Sequence, residues 1–116
     1  MRTGMPKQGD IVLIPVPFTD LSSKKQRPVI VISKNEYNQT TQDIVVVALT
    51  SNPDATAHGF TITSADLAKG TLKRPSQVRV DKIYTLSQGI VVRTFGRVSR
   101  RVLEQISESL QELIEV

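Results

Sequence analysis

The sequence predicts a mainly β fold: a small barrel-like set of short strands with one C-terminal α-helix. Two observations carry that prediction. Up to about residue 98, short β-branched apolar runs alternate with polar stretches of turn formers. After it, "SRRVLEQISESLQELIEV" places apolar residues three and four apart, the signature of one amphipathic helix. The length of 116 residues fits one domain, read as residues 1–116. Such a chain can hold a core without metal or disulfide staples.

The elements follow in order. "GDIVLIPVPF" gives a first strand from Ile11 to Val16. Pro15 and Pro17 place it at a sheet edge or over a bulge, because proline has no N–H to give a ladder. "TDLSSKKQR" is a polar, basic loop. "PVIVIS" is a second strand and "KNEYNQTTQD" a connection of turn formers. "IVVVALTS" is a third, continuously apolar strand that ends in hydroxyls. "NPDATAHG" is a loop and "FTIT" a short fourth strand. "SADLAKG" reads as a single helical turn with Ser64 as N-cap and Gly70 as stop. "SQVRVDKIYTL" is a fifth strand kinked near Lys82, and "GIVVRTFGRV" a sixth. Ser99 caps the final helix. Its stripe of Val102, Leu103, Ile106, Leu110, Leu113 and Ile114 packs on the barrel or on a second subunit. Arg100 and Arg101 lie in its first turn, where the helix dipole disfavours cations, and read as solvated.

The net charge is +4, unevenly spread. Residues 1–98 hold 13 Lys/Arg against 7 Asp/Glu, and residues 99–116 hold 2 Arg against 4 Glu. The basic body suggests a polyanionic partner or an acidic protein segment. With no cysteine, disulfides, thiolate chemistry and Cys-based zinc sites are excluded. The start "MRTGMPKQGD" has no signal-peptide pattern, and no apolar run reaches a membrane span. A cytoplasmic location is expected.

Neither a hydrolase motif with a Ser or Cys nucleophile nor a Gly-rich phosphate loop is present. The one histidine, His58, lies in a turn-rich loop with no carboxylate or metal partner in sequence. No metal site and no cofactor are expected. Three places could carry chemistry. In "QRPVIVIS", Pro28 biases Arg27 toward an extended backbone and fixes where the loop stops. Arg27 is either a positioned guanidinium for a phosphate or carboxylate, or a solvated residue before a strand. Thr50 and Ser51 end the third strand; their hydroxyls either cap it or face the same strand-end region as Arg27. In "VRVD", Arg79 and Asp81 are two apart and share one face of a strand. They form a structural ion pair, or a phosphate donor beside a general base.

Together these segments resemble the MazF/PemK (Kid-like) family of toxin endoribonucleases. "GDIVLIPVPF", the basic loop, "QRPVIVIS", "IVVVALTS" and "VRVDKIYTL" stand in the family's order and spacing. The resemblance covers essentially the whole chain, and the Arg-Pro strand and the strand ending in Thr-Ser are its most specific parts. It implies an SH3-like barrel with a C-terminal helix, assembled as a homodimer. It implies the toxin of a type II toxin–antitoxin system, cutting single-stranded mRNA at short sequences without metal and so arresting translation. It also implies a cognate antitoxin that lays a disordered tail over the dimer, and DNA binding by the toxin–antitoxin complex. Some members carry a histidine in the first loop and many others a glutamate; "TDLSSKKQ" has neither.

The implied chemistry assigns roles. The 2′-OH attacks its own phosphate, giving 2′,3′-cyclic phosphate and 5′-OH ends. Asp81, poised by Arg79, is the candidate base. Arg27 and Arg79 stabilise the charged phosphorane, since a guanidinium with a pKa above about 12 is a poor proton donor. Thr50 bonds a phosphate oxygen. Lys24, Lys25 and Ser51 contact the RNA, and Phe18 either stacks on a base or joins the core. The competing readings are a CcdB-like gyrase poison without catalysis and an SH3-like module that binds nucleic acid or peptide.

Overall fold

A computed structural model describes residues 5–15, 25–51 and 59–116. The elements are β1 (Asp10–Pro15), β2 (Gln26–Val31), α1 (Asn35–Thr40), β3 (Asp43–Thr50), β4 (Gly59–Ile62), β5 (Leu67–Lys69), β6 (Ser76–Ser87), β7 (Arg93–Val98) and α2 (Arg100–Leu113). The strands form one antiparallel sheet in the order β4-β6-β3-β2-β1-β7-β5. This is the predicted mainly β fold with a C-terminal helix.

Burial explains why β2 and β3 lack polar alternation. A strand buried on one face alternates, and a strand buried on both does not. Ile30, Val47 and Leu49 pack with Ile11 and Val78, and with Val102 and Ile106 of α2. Val29, Val31, Ile44 and Val46 form a second cluster with Val12. In α2 the Ser99 hydroxyl accepts from the Val102 N–H. Val102 and Ile106 are buried, Leu103 and Leu110 pack at the cluster's margin, and Leu113 and Ile114 are exposed. The inner part of the stripe therefore docks on the sheet.

Four expectations are corrected. First, β1 is not an edge strand: it pairs with both β2 and β7. Pro15 is tolerated because the pairing with β7 has already ended at Leu13, and the irregularity between Ile11 and Val12 leaves Phe95 of β7 as the extra residue, so the bulge lies in β7 and not in β1. Second, the stretch of turn formers contains helix α1. Buried Asn38 anchors it: its Nδ2 donates to the Ser33 carbonyl, while Gln88 Nε2 donates to the Asn38 carbonyl at 2.7 Å. These tertiary bonds override weak helix propensity. Third, a 3₁₀ turn at Ser64–Asp66 is capped by Thr63, not Ser64, with Asp66 completing a capping box. Fourth, that turn leads into the short strand β5, so Gly70 ends a strand and not a helix.

The kink expected near Lys82 is a bulge. Val47 pairs with Ile83 but the next residue, Ala48, pairs with Arg79, leaving Val80, Asp81 and Lys82 outside the ladder to β3. No helix among the described residues is long and apolar enough to cross a membrane.

Gly70 has φ +85°, and a Cβ there would lie 2.6 Å from the Phe95 carbonyl oxygen. Gly70→Ala should destabilise the fold by about 2 kcal/mol, combining left-handed strain with a backbone clash. Urea unfolding measures this; an unchanged midpoint would contradict the placement of β5 against β7.

Candidate active site

Strand order sets the site. β2 and β6 flank β3 and both run antiparallel to it, so both begin where β3 ends. Each beginning carries an Arg-Pro step: Arg27-Pro28 at β2 and Arg74-Pro75 before β6. In both, proline holds the preceding arginine extended. Between them β3 stops at Thr50, followed by Ser51.

Register places the side chains. Val29 pairs with Ala48, and continuing that register by two residues sets Arg27 opposite Thr50. Thr50 pairs with Gln77 and Ala48 with Arg79. Cross-strand partners share a face, so Arg27, Thr50 and Arg79 project from one side of the sheet. Adjacent strands are roughly 4.8 Å apart, and a diagonal neighbour such as Arg79 lies roughly 7–8 Å from Thr50.

An open groove of about 490 Å³ forms at these ends. Lys25, Arg27, Lys73 and Arg74 line it together with Thr50, Ser51 and Ser76. Among the described residues no carboxylate lines it. Four cations beside three hydroxyls favour an oxyanion, because charge-assisted donors are then available from several directions.

Arg79 and Asp81 are joined by two bonds: Nε donates to Oδ1 at 3.0 Å and Nη2 to Oδ2 at 2.9 Å. The side chains are 18% and 25% exposed. The hydrogen bonds to Asp81 raise the Arg79 pKa, against a smaller opposing effect of burial, so the guanidinium stays charged. The Asp81 carboxylate lines a different cleft of about 510 Å³, with Phe60 and with Gln105, Ser109 and Glu112 of α2. The bulge in β6 is the physical reason, since it lifts residues 80–82 out of the ladder.

The expected residues therefore divide. Arg27, Thr50, Ser51 and Lys25 share the groove. Arg79 stands on the same sheet face, and Asp81 is held by Arg79 at the neighbouring cleft. Phe18, Lys24 and His58 lie outside the described residues. Lys73, Arg74 and Ser76 were not anticipated, although "KRPS" repeats the Arg-Pro step of "QRPV".

A larger hollow of about 700 Å³ contains Lys7, Asp10, Lys69 and Arg97. Its buried Asp10 accepts from the Lys7 N–H and from Arg97 Nε, so that carboxylate serves structure. Among the described residues no group of His, Cys, Asp and Glu could hold a metal ion.

A small β fold whose strand ends gather cations and hydroxyls can hold a phosphodiester. Comparison with known proteins gives the same direction. The model of the PemK-like, MazF-like toxins of type II toxin–antitoxin systems matches residues 7–114, and the chain belongs to that family. Similar solved structures include an endoribonuclease in complex with its cognate antitoxin from a mycobacterial species: 20% identity, TM-score 0.76, covering 96% of each chain. The Mycobacterium tuberculosis toxin MazF-mt6 is 18% identical with a TM-score of 0.72, covering 92% of this chain and 97% of that one. MazE–MazF from Deinococcus radiodurans is 18% identical with a TM-score of 0.75, covering 97% of each. At these identities the likeness is one of fold. No curated protein sequence matches the chain significantly.

Titrating inorganic phosphate into labelled protein should move the amide signals of Arg27, Ser51 and Arg74. Shifts confined to Lys7, Asp10 and Arg97 would place the anion in the other hollow.

Proposed function

We propose that this toxin is an endoribonuclease that cleaves single-stranded mRNA at short sequences without a metal ion, leaving 2′,3′-cyclic phosphate and 5′-OH ends. The observation that carries the reading is the meeting of Arg27 and Thr50 in a groove that, among the described residues, is lined by cations and no carboxylate. A protein that held RNA without cutting it would need the cations alone; a guanidinium set opposite a strand-end hydroxyl suits a reacting phosphate.

The chemistry runs in one displacement. The 2′-oxygen attacks phosphorus and its proton passes to Asp81. The phosphorane gathers negative charge, which Arg27 stabilises, and Thr50 donates a hydrogen bond to a phosphoryl oxygen. The P–O5′ bond breaks, and the 5′-oxygen takes a proton from solvent. The clamp between Arg79 and Asp81 has a part in this sequence. In the resting site both Asp81 oxygens are occupied by bonds from Arg79. When the phosphate draws the Arg79 guanidinium toward itself, on the sheet face that Arg79 shares with Thr50, the Asp81 carboxylate loses that clamp and turns from the neighbouring cleft toward the 2′-OH. The substrate thus activates its own base.

The toxin acts as a cytoplasmic homodimer of formal charge +8, twice the +4 of one chain. The cationic groove also suits the acidic, disordered tail of a cognate antitoxin, which folds as it binds and excludes RNA. Both ligands weaken as salt rises.

Arg27→Ala should lower kcat by roughly 10²-fold or more with an unchanged melting temperature, because a lost oxyanion donor costs that much. Asp81→Asn should be nearly as damaging. Cleavage should persist in EDTA. Activity that needs magnesium, or an Asp81→Asn enzyme as fast as wild type, would overturn the corresponding part of the mechanism.

A further inference from the structure

We propose that Lys73 and Arg74 form a second phosphate-binding arm of the groove, holding the RNA phosphates next to the scissile one. The inference rests on the ribonuclease reading and deepens it, because it says how the site grips a strand and not only one phosphate.

Placement separates the two arms. Arg27 lies within β2 and lines the groove with Thr50. Lys73 and Arg74 precede Ser76, the first residue of β6, on the other side of β3. β2 and β6 are two strand spacings apart, roughly 10 Å. A phosphate seated on Thr50 and Arg27 therefore leaves Lys73 and Arg74 to its neighbours along the chain.

Exposed cations before a strand are commonly just solvated. This segment is tied down at several points. The Leu72 N–H donates to the Ser64 hydroxyl at 2.8 Å, and that hydroxyl donates to the Leu72 carbonyl at 3.1 Å. The Leu72 side chain packs against the main core cluster. The Ser76 hydroxyl donates to the Arg74 carbonyl at 3.2 Å, and Pro75 holds Arg74 extended. The backbone of the arm is thus fixed from Leu72 to Ser76, while the two charged ends stay exposed in the groove. Among the described residues, neither Lys73 nor Arg74 has a carboxylate partner. A fixed backbone with uncompensated cations loses little freedom on binding a polyanion.

The test measures binding apart from turnover. A 2′-O-methyl single-stranded oligonucleotide, which cannot be cleaved, is titrated at several salt concentrations into wild-type protein, Lys73→Ala/Arg74→Ala and Arg74→Lys. Cleavage of the matching RNA is followed in parallel. The double variant should bind about tenfold more weakly, with a log–log salt slope shallower by about 1.4, which is about 0.7 for each lost phosphate contact on a single strand. Its kcat should stay within about twofold of wild type while KM rises, and Arg74→Lys should keep most of the affinity. An unchanged slope and affinity in the double variant would overturn the inference while leaving the ribonuclease reading intact. A lost kcat with unchanged binding would also overturn it, by making these residues part of the chemistry. If wild-type protein neither binds nor cuts RNA, both readings fall.

Discussion

The structure depends on the double pairing of β3. Both of its edges are hydrogen-bonded, to β2 and to β6, and both of its faces carry buried apolar residues. Burial on both faces fixes the register strongly, because a slip by one residue would exchange the two apolar sets. Antiparallel pairing then forces β2 and β6 to begin where β3 ends. The groove follows from that topology and from two Arg-Pro steps.

The same strand that completes the site also divides it. β6 pairs with β3 on both sides of a bend, at which it leaves Val80, Asp81 and Lys82 outside the ladder. Val80 remains buried in the core, so the bulge is held by packing. Asp81 is then left beside Arg79, and the paired charges neutralise one another.

Much of this was legible from the residues, for physical reasons. The continuous runs of β2 and β3 and the three-and-four spacing of α2 report burial directly. Arg27 and Thr50 were legible because a proline and a hydroxyl mark where strands begin and end. The helix α1 was not, since its stability comes from Asn38 and Gln88, about fifty residues apart in sequence. β1 was expected at an edge or over a bulge and is neither, because Pro15 lies beyond the last residue bonded to β7, a fact of register that composition does not carry. The spacing of Arg79 and Asp81 gave their pairing, and the kink near Lys82 was expected, but neither showed that Asp81 would line a separate cleft. Lys73 and Arg74 were missed although their Arg-Pro step matched that of Arg27, because only the strand order makes the two steps neighbours.

A groove that positions an internal 2′-hydroxyl for attack on its own phosphate cannot cleave a strand that lacks it. Removing that one hydroxyl tests this most directly. Once a cleaved RNA position is mapped, an oligonucleotide with a single 2′-deoxy nucleotide on the 5′ side of the cut should bind as the all-ribose strand does and remain whole at that position. The all-ribose strand should yield a 2′,3′-cyclic phosphate there. Cleavage at the deoxy position, or products ending in 5′-phosphate, would contradict the account, because the nucleophile would then be water and the groove would be built for a different displacement.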